Sequence, residues 1–136
     1  MDVSFTGTQE GMTEAQHDGT RSTLAAYGKG ILHHGDCIGA DEDAHYIGEG
    51  LGYLMCVHPP INSSKRAFVT GAYKICEPKE YIPRNHDIVD EGSVLIATPK
   101  ENQEILRSGT WATIRYAKKM KKKVIIIYPS GDTAIW

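Results

Sequence analysis

The sequence has few cysteines, no long apolar run and no leader-like N-terminus. Its three cysteines, Cys37, Cys56 and Cys76, are widely spaced and form no CxxC pair, which argues against a disulfide framework and for a reducing compartment. No apolar stretch approaches the roughly 18 residues that a membrane span needs. A secretory leader begins with a basic segment followed by an apolar one, and the first residues of this sequence show neither. We therefore expect a cytoplasmic protein that does not associate with a membrane.

The chain also has little net charge. A formal charge of −2 gives the whole molecule no strong attraction for nucleic acid or anionic lipid. The charges are unevenly placed, however, and five lysines lie within residues 117–123. The first interpretation of these lysines is that they lie at the C-terminus of a helix, where positive charge complements the helix dipole. The alternative is a patch that contacts a polyanion.

Apolar runs alternate with glycine-rich turns and helical segments over residues 1–136, as one domain. Strands are predicted at Val3–Phe5, Gly30–His34, Tyr53–Val57, Ser93–Ala97 and Lys123–Tyr128. Runs that are apolar on both faces and joined by helices are typical of a parallel sheet covered on both sides. The sequence therefore predicts an α/β fold: a Rossmann-like, doubly wound, mostly parallel five-stranded sheet with helices on both faces.

The helices have local start and stop signals. Thr13-x-x-Gln16 is a capping box that predicts a helix from about Thr13 to Tyr27, and Gly28 suits its C-terminal end. Further helices are expected after Gly39, from about Tyr81, and from Gly109. Residues 60–80 show no periodicity, and an irregular segment of that length is usually functional or mobile.

In an open parallel sheet the ligand binds outside the carboxyl ends of the strands. Four segments fall there: Thr6–Gln9, Gly35–Asp41, Arg84-Asn85 and Arg107–Thr110. Gly7 permits close approach of backbone amides, and the helix start at Ser108 favours an anion. The predicted phosphate cradle comprises Gly7, Thr8, Ser108, Gly109 and Thr110, with Arg84 and Arg107 as cations.

The acidic turn residues have two interpretations. Asp36 and Asp41 suit ribose hydroxyls, with Asn85 reading ribose or base, but Asp41 equally suits a helix cap. Ser108 has the same ambiguity, since it is well placed to cap the last helix.

These motifs together resemble the SLOG superfamily, which includes DNA-processing protein A and the lonely-guy phosphoribohydrolases. Gly35-Asp36 through Gly39-Ala40-Asp41, then Arg84-Asn85, then Ser108-Gly109-Thr110, follow the order of the small YspA-like branch. The resemblance extends from Phe5 to Pro129. It implies a Rossmann-like sheet, homo-oligomerisation and binding of nucleotides or nucleotide-derived ligands.

The resemblance also allows a comparison with the catalytic residues of the lonely-guy enzymes. Arg84 matches the lonely-guy helix arginine and is the best catalytic candidate, and Gly109-Thr110 match the G-T of its P-G-G-x-G-T-x-x-E motif. The glutamate position falls on Thr113, and Arg107-Ser108 depart from the double glycine. Thr113 cannot stabilise developing positive charge as a carboxylate would, so Glu101 or Glu104 would have to replace it. The complete predicted ligand-binding set is Gly7, Thr8, Gln9, Gly35, Asp36, Gly39, Ala40, Asp41, Arg84, Asn85, Arg107, Ser108, Gly109, Thr110 and Thr113.

Several other side chains could carry chemistry or contact a partner. His33 and His34 would point to opposite faces of a strand, so together with Cys37 and His45 they do not predict a metal site. Cys37 is interpreted as a buried, inert thiol, and Trp111 and Tyr116 as core or oligomer contacts. We expect no metal and no resident cofactor.

Three functions follow from the sequence. The first is binding of a nucleotide or nucleotide-derived, phosphate-bearing ligand, in sensing or sequestration, by a homo-oligomer. The second is an N-glycoside (phosphoribo)hydrolase acting on nucleoside monophosphates. The third is a DNA-processing-like module that binds nucleic acid through Lys118–Lys123. The lack of interleaved aromatic residues in that lysine run makes this the weakest of the three.

Overall fold

A computed structural model describes residues 1–136 as an α/β fold of seven strands and four helices. Each of the helices, of which the longest has 14 residues, is too short and too polar to cross a bilayer. The elements in chain order are β1 (Asp2–Gly7), α1 (Glu14–Tyr27), β2 (Ile31–His34), α2 (Ala40–Gly50), β3 (Leu54–Val57), β4 (Lys74–Ile75), α3 (Tyr81–Glu91), β5 (Val94–Thr98), α4 (Gly109–Lys119), β6 (Lys123–Ile127) and β7 (Thr133–Ile135).

All strands belong to one sheet with the order β4-β3-β2-β1-β5-β6-β7. Every neighbouring pair is parallel except β6 and β7. The order reverses at β1, which is central and pairs with both β2 and β5. This is the switch point at which the connections to the two halves of the sheet diverge and leave a crevice.

Alternate residues along the strands enter two separate cores. Phe5, Ile96 and Ile127 pack on one face with Leu24 of α1 and Ala44 of α2. Leu95, Ala97 and Ile126 pack on the other face with Trp111 and Ile114 of α4, together with Val89 of α3. Helices therefore cover both faces, and the predicted Rossmann-like α/β class is confirmed.

The number of strands differs from the prediction of five. The two additional strands are β4, with two residues, and β7, with three. Both lie at the edges of the sheet, and neither contains a buried residue. Strands of two and three residues are too short to show the alternation by which a sequence pattern identifies a strand.

The predicted capping box of α1 is present. Thr13 Oγ1 accepts from the Gln16 amide, while Gln16 Oε1 accepts from the Thr13 amide, and Gly28 ends the helix at φ 78°. Gly19 does not interrupt this helix. A Cβ there would lie 3.0 Å from Ile127 Cγ2, so the glycine permits close packing of α1 on the sheet.

Residues 60–80 are more ordered than an unpatterned loop. They contain a short 3₁₀ turn at Ser63–Lys65 and the strand β4. Asp36 fixes the middle of the segment: its carboxylate accepts from Arg66 Nε at 2.7 Å and from the Val69 amide at 3.1 Å. Arg66 is consequently held at Asp36.

Candidate functional site

A cavity of about 440 Å³ opens at the carboxyl edge of the sheet, where β1 and β5 end. Most of its lining side chains are polar. The lining residues come from the end of β1, from the loops after β1, β2 and β5, and from α2, α3 and the first turn of α4. The lining residues are Phe5, Thr6, Gly7, Thr8, Gln9, Glu10, Cys37, Asp41, Tyr81, Arg84, Asn85, Ile88, Lys100, Glu101, Arg107, Ser108, Gly109 and Thr110. Arg84 and the Ser108–Thr110 turn therefore line one shared cavity.

Two glycines allow the β1 loop to pack against the start of α2. A Cβ on Gly7 would overlap Thr98 Oγ1 and Ala40 Cβ, and a Cβ on Gly39 would overlap the Gln9 carbonyl oxygen. The Ala40 amide donates to the Thr8 carbonyl oxygen at 2.9 Å. This close contact fixes the position of the Gly7–Gln9 backbone at the cavity wall.

Arg84 is a buried guanidinium at the cavity floor. Its Nη1 donates to the carbonyl oxygens of Gly35, at 2.7 Å, and His58, at 3.2 Å, and its Nε donates to Asn85 Oδ1 at 2.8 Å. Its Nη2 contacts only Cys37 Sγ, a weak acceptor, at 3.7 Å. The charge of Arg84 is thus held rigidly, and one of its nitrogens lacks a strong protein acceptor.

The Gly35–Cys37 turn wraps around the carboxylate of Asp41. Asp41 Oδ2 accepts from the amides of Gly35 and Cys37, each at 3.2 Å, and Oδ1 makes no hydrogen bond within the chain. Burial raises the pKa of Asp41 to about 6, although the Arg84 charge opposes this. Burial, followed by the nearby Asp41 charge, raises the pKa of Cys37 to about 11, so this thiol is protonated at neutral pH and is a poor nucleophile.

The first turn of α4 forms one wall of the cavity. Ser108 caps the helix, with its Oγ accepting from the Trp111 amide at 3.2 Å, so the capping interpretation of Ser108 is confirmed. The Gly109 and Thr110 amides belong to the first helical turn, where no carbonyl of the helix can accept from them. A Cβ on Gly109 would meet no atom within 4 Å, so the space beside this residue, which lines the cavity, is open. Arg107, exposed and without an ion pair, flanks it.

Sequence reasoning missed Lys100, Glu10 and Tyr81 as lining residues. Lys100 Nζ and Glu10 Oε2 form an exposed ion pair, 2.6 Å apart, on the rim of the cavity. Lys100 follows the carboxyl end of β5, so the strand-end rule could have found it. Glu101, which the sequence named as a possible substitute carboxylate, does line the cavity, and its Oε1 accepts from Trp111 Nε1 at 3.0 Å.

Five members of the predicted set do not line the cavity: Gly35, Asp36, Gly39, Ala40 and Thr113. The Asp36 carboxylate is occupied by Arg66 and the Val69 amide. Thr113 is buried in α4 and donates from Oγ1 to the Gly109 carbonyl oxygen at 2.9 Å. Gly35, Gly39 and Ala40 support the wall from behind.

Two further sequence candidates lie away from the cavity. Glu104 pairs with Arg115 at 2.9 Å on the surface. The lysine run begins in the last turn of α4, the opposite end of the helix from Ser108, where the charges complement the helix dipole. Lys122 donates to the carbonyl oxygens of Gly92 and Asp90, so part of this run holds the start of β5.

No protein-family model matches the sequence, and no curated protein matches it significantly. Among solved structures, the molybdenum cofactor binding protein of the phototrophic bacterium Rippkaea orientalis is similar in fold, with a TM-score of 0.70 and 20% sequence identity. The match covers 93% of this chain and 76% of the other. At this identity the likeness establishes a shared Rossmann-like architecture.

Proposed function

We propose that the protein binds a nucleotide or nucleotide-derived, phosphate-bearing ligand in the cavity at the carboxyl edge of the sheet. The observation that supports this most is the convergence of an open helix N-terminus, Arg107 and the buried Arg84 on one polar cavity. Helix N-termini attract phosphate through free amides and the positive end of the dipole. A volume of about 440 Å³ is within the range of small-ligand sites.

The arrangement favours one orientation of the ligand. A phosphate would accept from the Gly109 and Thr110 amides, with Arg107 as the mobile cation beside it. On the wall near α2 and α3, the free Oδ1 of Asp41 can accept from a ribose hydroxyl. Asn85 uses its Oδ1 for Arg84 and keeps its amide NH₂ for a base or sugar acceptor. The proposed ligand thus carries a phosphate at one end and hydroxyl or base groups at the other.

The structural neighbour supports a cofactor-sized ligand, since it is named for binding the molybdenum cofactor. For that reason the molybdenum cofactor belongs in the ligand panel beside nucleoside mono- and diphosphates and ADP-ribose. Membership of the SLOG superfamily, homo-oligomerisation and a cytoplasmic location stay predictions.

Thermal shift with this panel tests the proposal, because a ligand that binds only the folded state raises the melting temperature. We expect at least one member to stabilise the protein. Arg107→Ala should lower the affinity for that ligand by about tenfold or more, since a charge-assisted hydrogen bond contributes about 1.5–3 kcal/mol. Arg21→Ala, an exposed arginine on α1, is the matched control and should bind as the unmodified protein does. Stabilisation by no member of the panel would refute the proposal.

A second candidate function, N-glycoside hydrolysis, is favoured by the two carboxyl groups of Asp41 and Glu101 in the same cavity as Arg84. Glycoside hydrolysis generally uses a carboxylate to stabilise an oxocarbenium-like transition state. The same samples distinguish the two functions: a hydrolase releases free base from a nucleoside monophosphate, and Glu101→Gln abolishes the release. A binder leaves the ligand intact at high protein concentration.

A further inference from the structure

A second cavity, of about 240 Å³, shares no residue with the first and contains a compact group of metal-ligating side chains. His33, Cys56 and His58 are all buried, and one donor atom of each lies within 4.8 Å of the other two. The potential ligands near His33 in sequence are His34, Cys37 and His45, and the alternation of side chains along β2 places His34 on the opposite face of the sheet. The fold instead supplies partners for His33 from β3.

Strand register explains why these side chains meet. His33 of β2 lies directly opposite Cys56 of β3, so both side chains are on the same face of the sheet. His58 follows Cys56 by two residues and returns to that face. The three groups are therefore held by the backbone pairing of two parallel strands and do not depend on a mobile loop.

We propose that His33, Cys56 and His58 bind a zinc ion, through His33 Nδ1, Cys56 Sγ and His58 Nε2. Tetrahedral zinc with Zn–S near 2.3 Å and Zn–N near 2.0–2.1 Å places N and S ligands about 3.6 Å apart and two N ligands about 3.3 Å apart. Cys56 Sγ lies 3.6 Å from His58 Nε2, and His33 Nδ1 lies 3.0 Å from His58 Nε2. The first distance already fits, and the second needs an opening of only about 0.3 Å.

Asp2 supplies the outer contact that zinc-bound histidines commonly have. Its Oδ2 lies 3.0 Å from His33 Nε2, the ring nitrogen that faces away from Cys56 and His58. A carboxylate there favours the tautomer with the proton on Nε2, which leaves the Nδ1 lone pair directed into the group. Glu91 lies close to Asp2 and His33 and adds negative charge on the same side.

A reactive thiol pair is the competing interpretation. Cys76 Sγ lies 3.9 Å from Cys56 Sγ, which is close enough for oxidation to a disulfide to remove Cys56 as a ligand. All measurements are therefore made under a non-thiol reductant. Cys76 lies outside the compact group of three, so its replacement by serine should leave metal binding intact.

Cobalt(II) titration of the chelator-treated, full-length protein tests the site. Co²⁺ occupies zinc sites and reports a thiolate ligand by a charge-transfer band and a tetrahedral site by intense visible bands. We expect both signals to saturate at one Co²⁺ per chain and to disappear when one equivalent of Zn²⁺ is added. A folded protein that shows no thiolate-to-cobalt band refutes the proposal without any variant.

Variants locate the site. Cys56→Ser should remove the charge-transfer band and weaken Co²⁺ binding by at least tenfold, whereas Cys37→Ser, which changes a buried thiol beside Arg84, should retain the band. His58→Ala, checked for folding by circular dichroism, should also lose tight binding. A band that survives Cys56→Ser, or that depends on Cys37, would overturn the assignment to these three residues.

Discussion

At the scale of single residues, Gly39 has two physical reasons to be glycine. Its φ is +89°, a conformation that side-chain-bearing residues rarely adopt, and a Cβ would overlap the Gln9 carbonyl oxygen. We expect Gly39→Ala to lower the free energy of unfolding by about 2 kcal/mol or more, because strain and a backbone clash add. Urea denaturation measures the change.

Gly50 is the matched control for Gly39, since it lies at the other end of α2. A Cβ there meets no atom within 4 Å, and its φ is not in the left-handed region. Gly50→Ala should therefore change stability by less than about 1 kcal/mol, in the stabilising direction. Equal losses in both variants would contradict the role assigned to Gly39.

Residue chemistry was predictable where local rules act and obscure where tertiary contacts decide. The helix position of Ser108 determines its capping role, and the strand-end rule brought Arg84 and Gly109 to one cavity. Nothing local indicated that Arg66 would occupy Asp36, because the two residues are 30 positions apart. The bond of the Thr113 hydroxyl to the Gly109 carbonyl oxygen is of the local kind, since a threonine inside a helix commonly donates to the carbonyl four residues earlier.

At the scale of elements, Asp36 holds the segment between β3 and α3 in place. Its carboxylate is buried and binds Arg66 and the Val69 amide, while its carbonyl oxygen accepts from the Ala67 amide at 2.8 Å. Asp36→Ala should make trypsin cleavage after Lys65 or Arg66 at least about tenfold faster, because local opening exposes these sites. Mass spectrometry of a limited digest identifies the cleaved bonds.

The lysines at positions 118–123 serve as an internal reference in that digest. If Asp36→Ala acts locally, cleavage there stays at the rate of the unmodified protein. Asp18→Ala, which removes an exposed carboxylate paired with Arg21, should leave both regions unchanged. An equal increase in the cleavage rate at both regions would show global destabilisation and would contradict a local role for Asp36.

Elements with a buried face were predictable, and elements without one were not. The five predicted strands all correspond to strands that carry buried apolar residues, and the capping box gave the start of α1. The edge strands β4 and β7 have only two and three residues, and each forms through backbone pairing with one neighbour, β3 and β6 respectively. Sequence periodicity contains no record of such pairing.

At the scale of the whole molecule, three buried groups couple stability to pH. Burial holds the pKa of His34 well below its usual value, and burial with the nearby His33 lowers the pKa of His58 to about 4. Burial raises the pKa of Asp41 to about 6. Between pH about 4 and 6, both histidines are therefore protonated in the unfolded chain and neutral in the folded chain. Asp41 is the reverse, because its carboxyl group is protonated in the folded chain and ionised in the unfolded chain.

The two histidines outweigh the carboxyl group, so the free energy of unfolding should rise with pH across this window. Asp41→Asn removes the opposing contribution and retains an amide oxygen to accept from Gly35 and Cys37. The rise should then become steeper by about 1.4 kcal/mol per pH unit, the equivalent of one proton. Urea unfolding at several pH values, with a chelator present, measures both slopes, and Asp18→Asn at an exposed site should leave the slope unchanged. An unchanged or shallower slope for Asp41→Asn would mean that Asp41 is ionised throughout the window, because only a proton retained at its buried carboxyl group opposes the histidines.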